Sequence, residues 1–214
     1  MDVCGRAGSA VADPADVIER VAVPASRRPT PFEIEKAVRI LIAAAGDDPD
    51  RNGLRDTPGR VARAYAEWFS GYAVDPRALL DRVFDVDRYE ESVLLRSIPL
   101  VSTCEHHLAP ISGYAHVAYR PNGRVVGVSK LSRLVDAYAR RLQLQERLTN
   151  QIARTLDEAL KPKGVAVIVE ASHGCMSTRG VNQQGVTMVT KCWLGEFKVD
   201  AELRRDLMES IRGC

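Results

Sequence analysis

No apolar run in this chain approaches the 18 residues a membrane span needs. The opening stretch, MDVCGRAGSAVADPADVIER, lacks the apolar core of a secretory leader. Both absences predict a cytoplasmic protein with no membrane partner. An excess of one charge is missing too: 30 Lys and Arg face 28 Asp and Glu, for a net +2. The arginine doublets Arg27-Arg28, Arg140-Arg141 and Arg204-Arg205 are scattered and form no basic stripe, which argues against a nucleic-acid binder. No C-x-x-C occurs, which excludes zinc ribbons, redox dithiols and the zinc-deaminase signature. The absence of H-E-x-x-H removes the common metalloprotease reading. Neither G-x-G nor G-x-x-x-x-G-K is present, so a bound nucleotide would be held by side-chain cations and not by a glycine loop.

What is present is ordinary globular material: 214 residues, 45% hydrophobic and 27% charged, which excludes a disordered chain. Length predicts one compact domain with at most a helical appendage. Residues 1–30 carry little periodicity and read as a mobile tail. Residues 31–82 read as a helical region, opened by Pro31 and resumed at Thr57-Pro58, with Thr57 as cap. Val61, Tyr65, Trp68 and Phe69 share one apolar side of the second helix. Residues 83–214 form the main domain. Strands are expected over 92–102, 111–119 (extended by 125–128), 165–171 and 186–194. Helices are expected from Ser129 and from about Gln145, with a last one near 201–211. The order ββααββ is α+β: a four-stranded antiparallel sheet with two helices on one face. Its open edges call for pairing with further copies, so a homo-oligomer is expected.

Five cysteines, an odd number, do not suggest a disulfide framework in such a chain. Cys4, Cys192 and Cys214 read as small apolar residues. Cys104 and Cys175 differ, because histidines crowd them in Cys104-Glu105-His106-His107 and His173-Gly174-Cys175. A turn at Cys104 and His107 would aim a thiolate and an imidazole at one point. Those are good Zn²⁺ ligands, and Cys175 offers a third. Three protein ligands leave a position open, as in catalytic zinc sites. His116, among apolar neighbours, reads as a structural histidine.

Two further clusters each admit two readings. Lys130 and Arg133, three apart at a helix start behind Ser129, suit a phosphate. They equally suit a surface on which Ser129 caps the helix and Arg133 pairs with Asp136. Arg179 adds a cation near Cys175. Glu146, in a first helical turn, is favoured there by the dipole alone. It could also accept two N–H bonds from the N1 and N2 edge of guanine, a donor pair adenine lacks.

Taken together, Cys104-Glu105-His106-His107, Gly127-Val128-Ser129-Lys130-Leu131, Gln143 to Thr149, and His173-Gly174-Cys175-Met176 through Arg179-Gly180-Val181 resemble GTP cyclohydrolase I. Order and spacing agree over residues 33–198. The resemblance implies a T-fold subunit in a toroidal homodecamer with sites shared between neighbours. It implies hydrolysis of GTP to formate and 7,8-dihydroneopterin triphosphate, an entry to folate, pterin or deazaguanine metabolites, with one Zn²⁺ per subunit activating the water that adds at C8. Cys104, His107 and Cys175 then stand as zinc ligands, and His106 and His173 as proton-transfer residues. Gln145 and Glu146 anchor guanine. Ser129, also at a catalytic position, lines the triphosphate end with Lys130, Arg133 and Arg179, and Arg60 reaches in from a neighbour. Two rivals remain: a T-fold nitrile reductase using a cysteine nucleophile and a nicotinamide, and a zinc-stabilised scaffold or nucleotide sensor without turnover.

Overall fold

The structure, a computed structural model, describes residues 28–86 and 89–213. Nearly all of the expected tail lies outside those residues, as do Cys4 and Cys214. Helix α1 (Pro31–Ala44) starts at a capping box: Thr30 accepts from Glu33 N, and the Glu33 carboxylate reaches back to Thr30 N. Helix α2 (Thr57–Trp68) packs against α1. Its cap position is Asp56, whose side chain makes no capping bond, so Thr57 is the first helical residue and not the cap.

The α+β body follows. Strand β1 (Val83–Asp85) precedes β2 (Val93–Cys104), β3 (Pro110–Arg120) and β4 (Arg124–Val126). Helix α3 (Val128–Ala139), strand β5 (Leu142–Gln143) and helix α4 (Gln145–Leu160) come next. Strand β6 (Gly164–His173), the single helical turn α5 (Gly174–Ser177) and β7 (Met188–Gly195) lead to α6 (Glu196–Val199) and α7 (Ala201–Arg212). The main sheet has five strands and not four, in the order β5-β2-β3-β6-β7. The addition is β5, two residues running parallel to Thr103 and Cys104. Residues 124–126 do not extend the β2–β3 pair as expected. The turn at Pro121-Asn122-Gly123 reverses the chain, and β4 forms a separate ribbon with β1.

Strand β6 is buried on both faces from Gly164 to Val169. On one face Val165, Val167 and Val169 meet Leu131, Leu134 and Val135 of α3 and Leu148, Ile152 and Leu156 of α4. On the other, Ala166 and Ile168 meet Phe197 of α6 and Leu207 of α7. A sheet covered on both sides has strands that read as unbroken apolar runs, which is why Val165–Ala171 shows no alternation. No helix among the described residues is long and apolar enough to cross a membrane.

The register positions the site. Ile111 opposes His173, and Ala171 opposes Met188. Cys104 opposes Gln143 across the parallel bridge. The end of β2, the start of β3, the end of β6 and the start of α4 therefore meet at one end of the sheet.

Candidate active site

The β2–β3 turn is closed by Cys104 N donating to Ala109 O (2.8 Å) and Leu108 N donating to Cys104 O (2.9 Å). Leu108 adopts φ 53°, which folds the loop back over the strand end. His107 Nδ1 thereby comes to 3.8 Å from Cys104 Sγ. Cys175 arrives from α5, the turn that begins where β6 stops. One donor atom from each of Cys104, His107 and Cys175 lies within 4.8 Å of the other two.

Two sulfurs and a ring nitrogen suit Zn²⁺, whose bond lengths set a tetrahedral S···N edge of roughly 3.6 Å. The observed 3.8 Å fits that edge. Burial and the neighbouring Cys104 sulfur push the Cys175 thiol up, with Arg179 pulling the other way. Two adjacent thiolates need a cation between them, which is the condition a divalent ion satisfies. Arg179 Nη1 lies 3.1 Å from His107 Nε2, so both ring nitrogens have a close neighbour.

Beside this cluster, His173 Nε2 lies 2.8 Å from Gln145 Oε1. Gln145 is only 1% exposed. Its Nε2 faces Val169 O and Met188 O, both at 3.0 Å, and Thr190 Oγ1 at 3.2 Å. Two carbonyls accept only, so the amide nitrogen must face them and the amide oxygen must face His173. His173 therefore carries its proton on Nε2 and leaves Nδ1 basic. Burial holds its pKa below the ordinary histidine value, and the nearby Glu146 charge opposes the shift. Glu146 itself is exposed in the first turn of α4. His106 is exposed at the β2–β3 turn, its Nε2 3.8 Å from Glu105 Oε1.

Sequence reasoning passed over the partners of these groups. Glu105 is forked by Arg147, which holds its carboxyl below the usual range. Thr149 and Thr190 share a 2.7 Å hydroxyl bond beneath Gln145. Glu105, Arg147 and Thr149 all stand inside recognised motifs. Only the opposition of charge between Glu105 and Arg147 hinted at a contact.

The remaining candidates are elsewhere. Ser129 and Lys130 occupy the first turn of α3, with Arg133 a turn further on; Gly127 is the cap, not Ser129. Val126 N donates to Tyr119 Oη, which puts the start of α3 at the Tyr119 end of β3. The Cys104, His107 and Cys175 donors lie at the Ile111 end. Eight residues of strand, about 27 Å, separate Tyr119 from Ile111, and α3 runs back from the Tyr119 end towards β5, so Ser129 and Lys130 stand at the far end and Arg133 about half-way along. Arg60 is exposed on α2, 3.4 Å from Asp56.

A family model described as GTP cyclohydrolase I matches residues 34–212. The chain is 51% identical over 193 residues to GTP cyclohydrolase 1 of Maricaulis maris, covering 90% of this chain and 94% of that one. It is 51% identical to the Sinorhizobium fredii protein of the same name over 189 residues, 88% and 92% of the two chains. With the Hyphomonas neptunium protein of that name the identity is 55% over 179 residues, 83% and 87% of the two chains. Matched across most of its length, by the family model and by relatives sharing about half their residues with it, the chain is an enzyme that belongs to the GTP cyclohydrolase I family.

Proposed function

We propose that the chain hydrolyses GTP to formate and 7,8-dihydroneopterin triphosphate, with Zn²⁺ held by Cys104, His107 and Cys175. The observation that carries this reading is the convergence of those three donors next to a histidine whose tautomer is set by a buried amide. When bound, the ion supplies Lewis acidity that brings the pKa of water from about 15.7 towards 7.

The chain's own residues do the rest. Glu146 accepts the N1 and N2 protons of guanine; adenine would leave those oxygens unpaired. Gln145 serves guanine only indirectly. Its amide is already bonded on both sides, so it orients His173. That imidazole, neutral at pH 7, takes and returns a proton at Nδ1 during opening of the five-membered ring, and the exposed His106 is a second shuttle. Arg179 receives phosphate charge at the metal end. The uncleaved triphosphate acts as a handle for the base.

Ser129 and Lys130 begin α3 at the sheet end remote from their own chain's cluster, and Arg133 lies on the same helix. In this reading a neighbouring copy supplies them, and the oligomer, a toroidal decamer, completes each site. Arg60 enters from a neighbour in the same way.

Incubation with GTP and one equivalent of Zn²⁺ should yield formate and a pterin that fluoresces after oxidation. Cys104→Ala should lose metal and formate together. Retention of tightly held zinc by that variant would overturn the ligand set. A zinc-loaded wild-type protein that leaves GTP intact would favour the sensor reading.

A further inference from the structure

Glu105 and Arg147 lie within two of the motifs, yet neither offers a ligand to the metal cluster. Arg147 meets both oxygens of the Glu105 carboxylate: Nη1 bonds Oε2, and Nη2 lies 3.1 Å from Oε1. Each side chain is 26% exposed, so the fork is largely shielded from water. The two residues are 42 apart in sequence and join different pieces of backbone. Glu105 sits between Cys104 and His106 in the metal turn. Arg147 follows Glu146 in the first turn of α4. A backbone bond from Glu105 N to Gln143 O (3.1 Å) runs alongside. On its other side, Glu105 Oε1 faces His106 Nε2 at 3.8 Å.

We propose that the Glu105–Arg147 fork is a positioning clamp that sets the metal turn against the guanine-binding helix and aims His106. A fork fixes plane as well as distance, which a single lysine contact does not. The pair touches no reacting atom. It acts through Cys104, His106 and His107 on one side and through Gln145 and Glu146 on the other. Alignment of this kind matters because a displacement of about 1 Å can cost on the order of 10²-fold in rate. The clamp rests on the GTP-opening reading above.

The test compares Glu105→Gln, Arg147→Lys, Arg147→Met and the double variant Glu105→Gln/Arg147→Met with wild type. Each is measured for zinc per subunit, Tm, and kcat and KM for GTP. The single variants should keep one zinc and a folded chain while kcat falls roughly 10- to 100-fold and KM moves much less. Arg147→Lys, which keeps the charge but not the fork, should fall nearly as far as Arg147→Met. The double variant should be no worse than the weaker single, because the two residues act as a unit.

Unchanged kcat in folded, zinc-loaded single variants would overturn the clamp. Additive losses would overturn it too, since the residues would then act independently. A loss that merely tracks missing zinc, or a rise in KM with kcat intact, assigns the pair to metal retention or substrate binding and equally overturns it. Failure of zinc-loaded wild type to release formate would instead defeat the GTP reading, before any variant is compared.

Discussion

At His173, a single side chain sets which nitrogen is basic. Gln145 presents only an oxygen there, because its nitrogen is taken by Val169 O and Met188 O. Replacing it with leucine removes the acceptor and the N–H groups that meet Val169 O and Met188 O. Gln145→Leu should therefore lower turnover by roughly 10²-fold, the low end for a displaced general base, with zinc content unchanged. Normal turnover in that variant would remove His173 from proton transfer or Gln145 from its control. His116 gives a different prediction. It is buried in β3, its Nδ1 accepts from Ser97 N at 3.3 Å, and burial lowers its pKa against the pull of Glu170. The unfolded chain then binds the proton more readily. Its contribution to stability is complete above the unfolded value of about 6.5 and is lost as pH falls towards the folded value. Between those two values, Tm should fall more steeply with falling pH for wild type than for His116→Gln; parallel curves would show that the histidine contributes nothing.

Among the elements, the pairing of β3 with β6 at Gly113 is the tightest constraint near the site. A Cβ at Gly113 would stand 2.0 Å from Glu170 O, which is backbone and cannot step aside. Gly113→Ala should cost about 1–3 kcal/mol, the scale of core overpacking, and should lower Tm. An unchanged Tm would mean that the two strands can separate there. The long elements were legible from periodicity: α4 has Leu148, Ile152 and Leu156 on one buried stripe, and Lys161 ends it in a left-handed cap before Pro162. The short ones were not. Val83–Asp85 and Leu142–Gln143 have three and two residues, too few to show a period, and both exist only because a partner strand lies alongside.

For the molecule as a whole, one chain carries the Cys104, His107 and Cys175 donors at one end of its sheet and the start of α3 at the other. Among the described residues, strand β7 has no outer neighbour, and β2 is covered on its outer side only at Thr103 and Cys104. Phe32, Ile40 and Leu41 of α1 are 74%, 62% and 65% exposed. Open edges and an uncovered helix face fit the proposed oligomer. If neighbours complete each other's sites, Cys104→Ala and Lys130→Ala chains, each inactive alone, should recover activity when unfolded and reassembled together. Random mixing of equal amounts in a symmetric ring restores about a quarter of the sites. No recovery would place both halves within one chain. Gel filtration at micromolar concentration should show a species far larger than a monomer.

The amino-acid order alone determined the chemistry on offer: two thiols and an imidazole for a soft divalent ion, carboxylate for a purine edge, and cations for phosphate. It could do so because ligand preference and charge belong to the side chain wherever it lies. Tertiary structure alone decided that Gln145 turns inward to His173, that Glu105 meets Arg147, and that Ser129 and Lys130 begin their helix at the sheet end away from Cys104. Those outcomes follow from strand register and helix direction, which packing across both faces of the sheet selects and which separation along the chain does not encode.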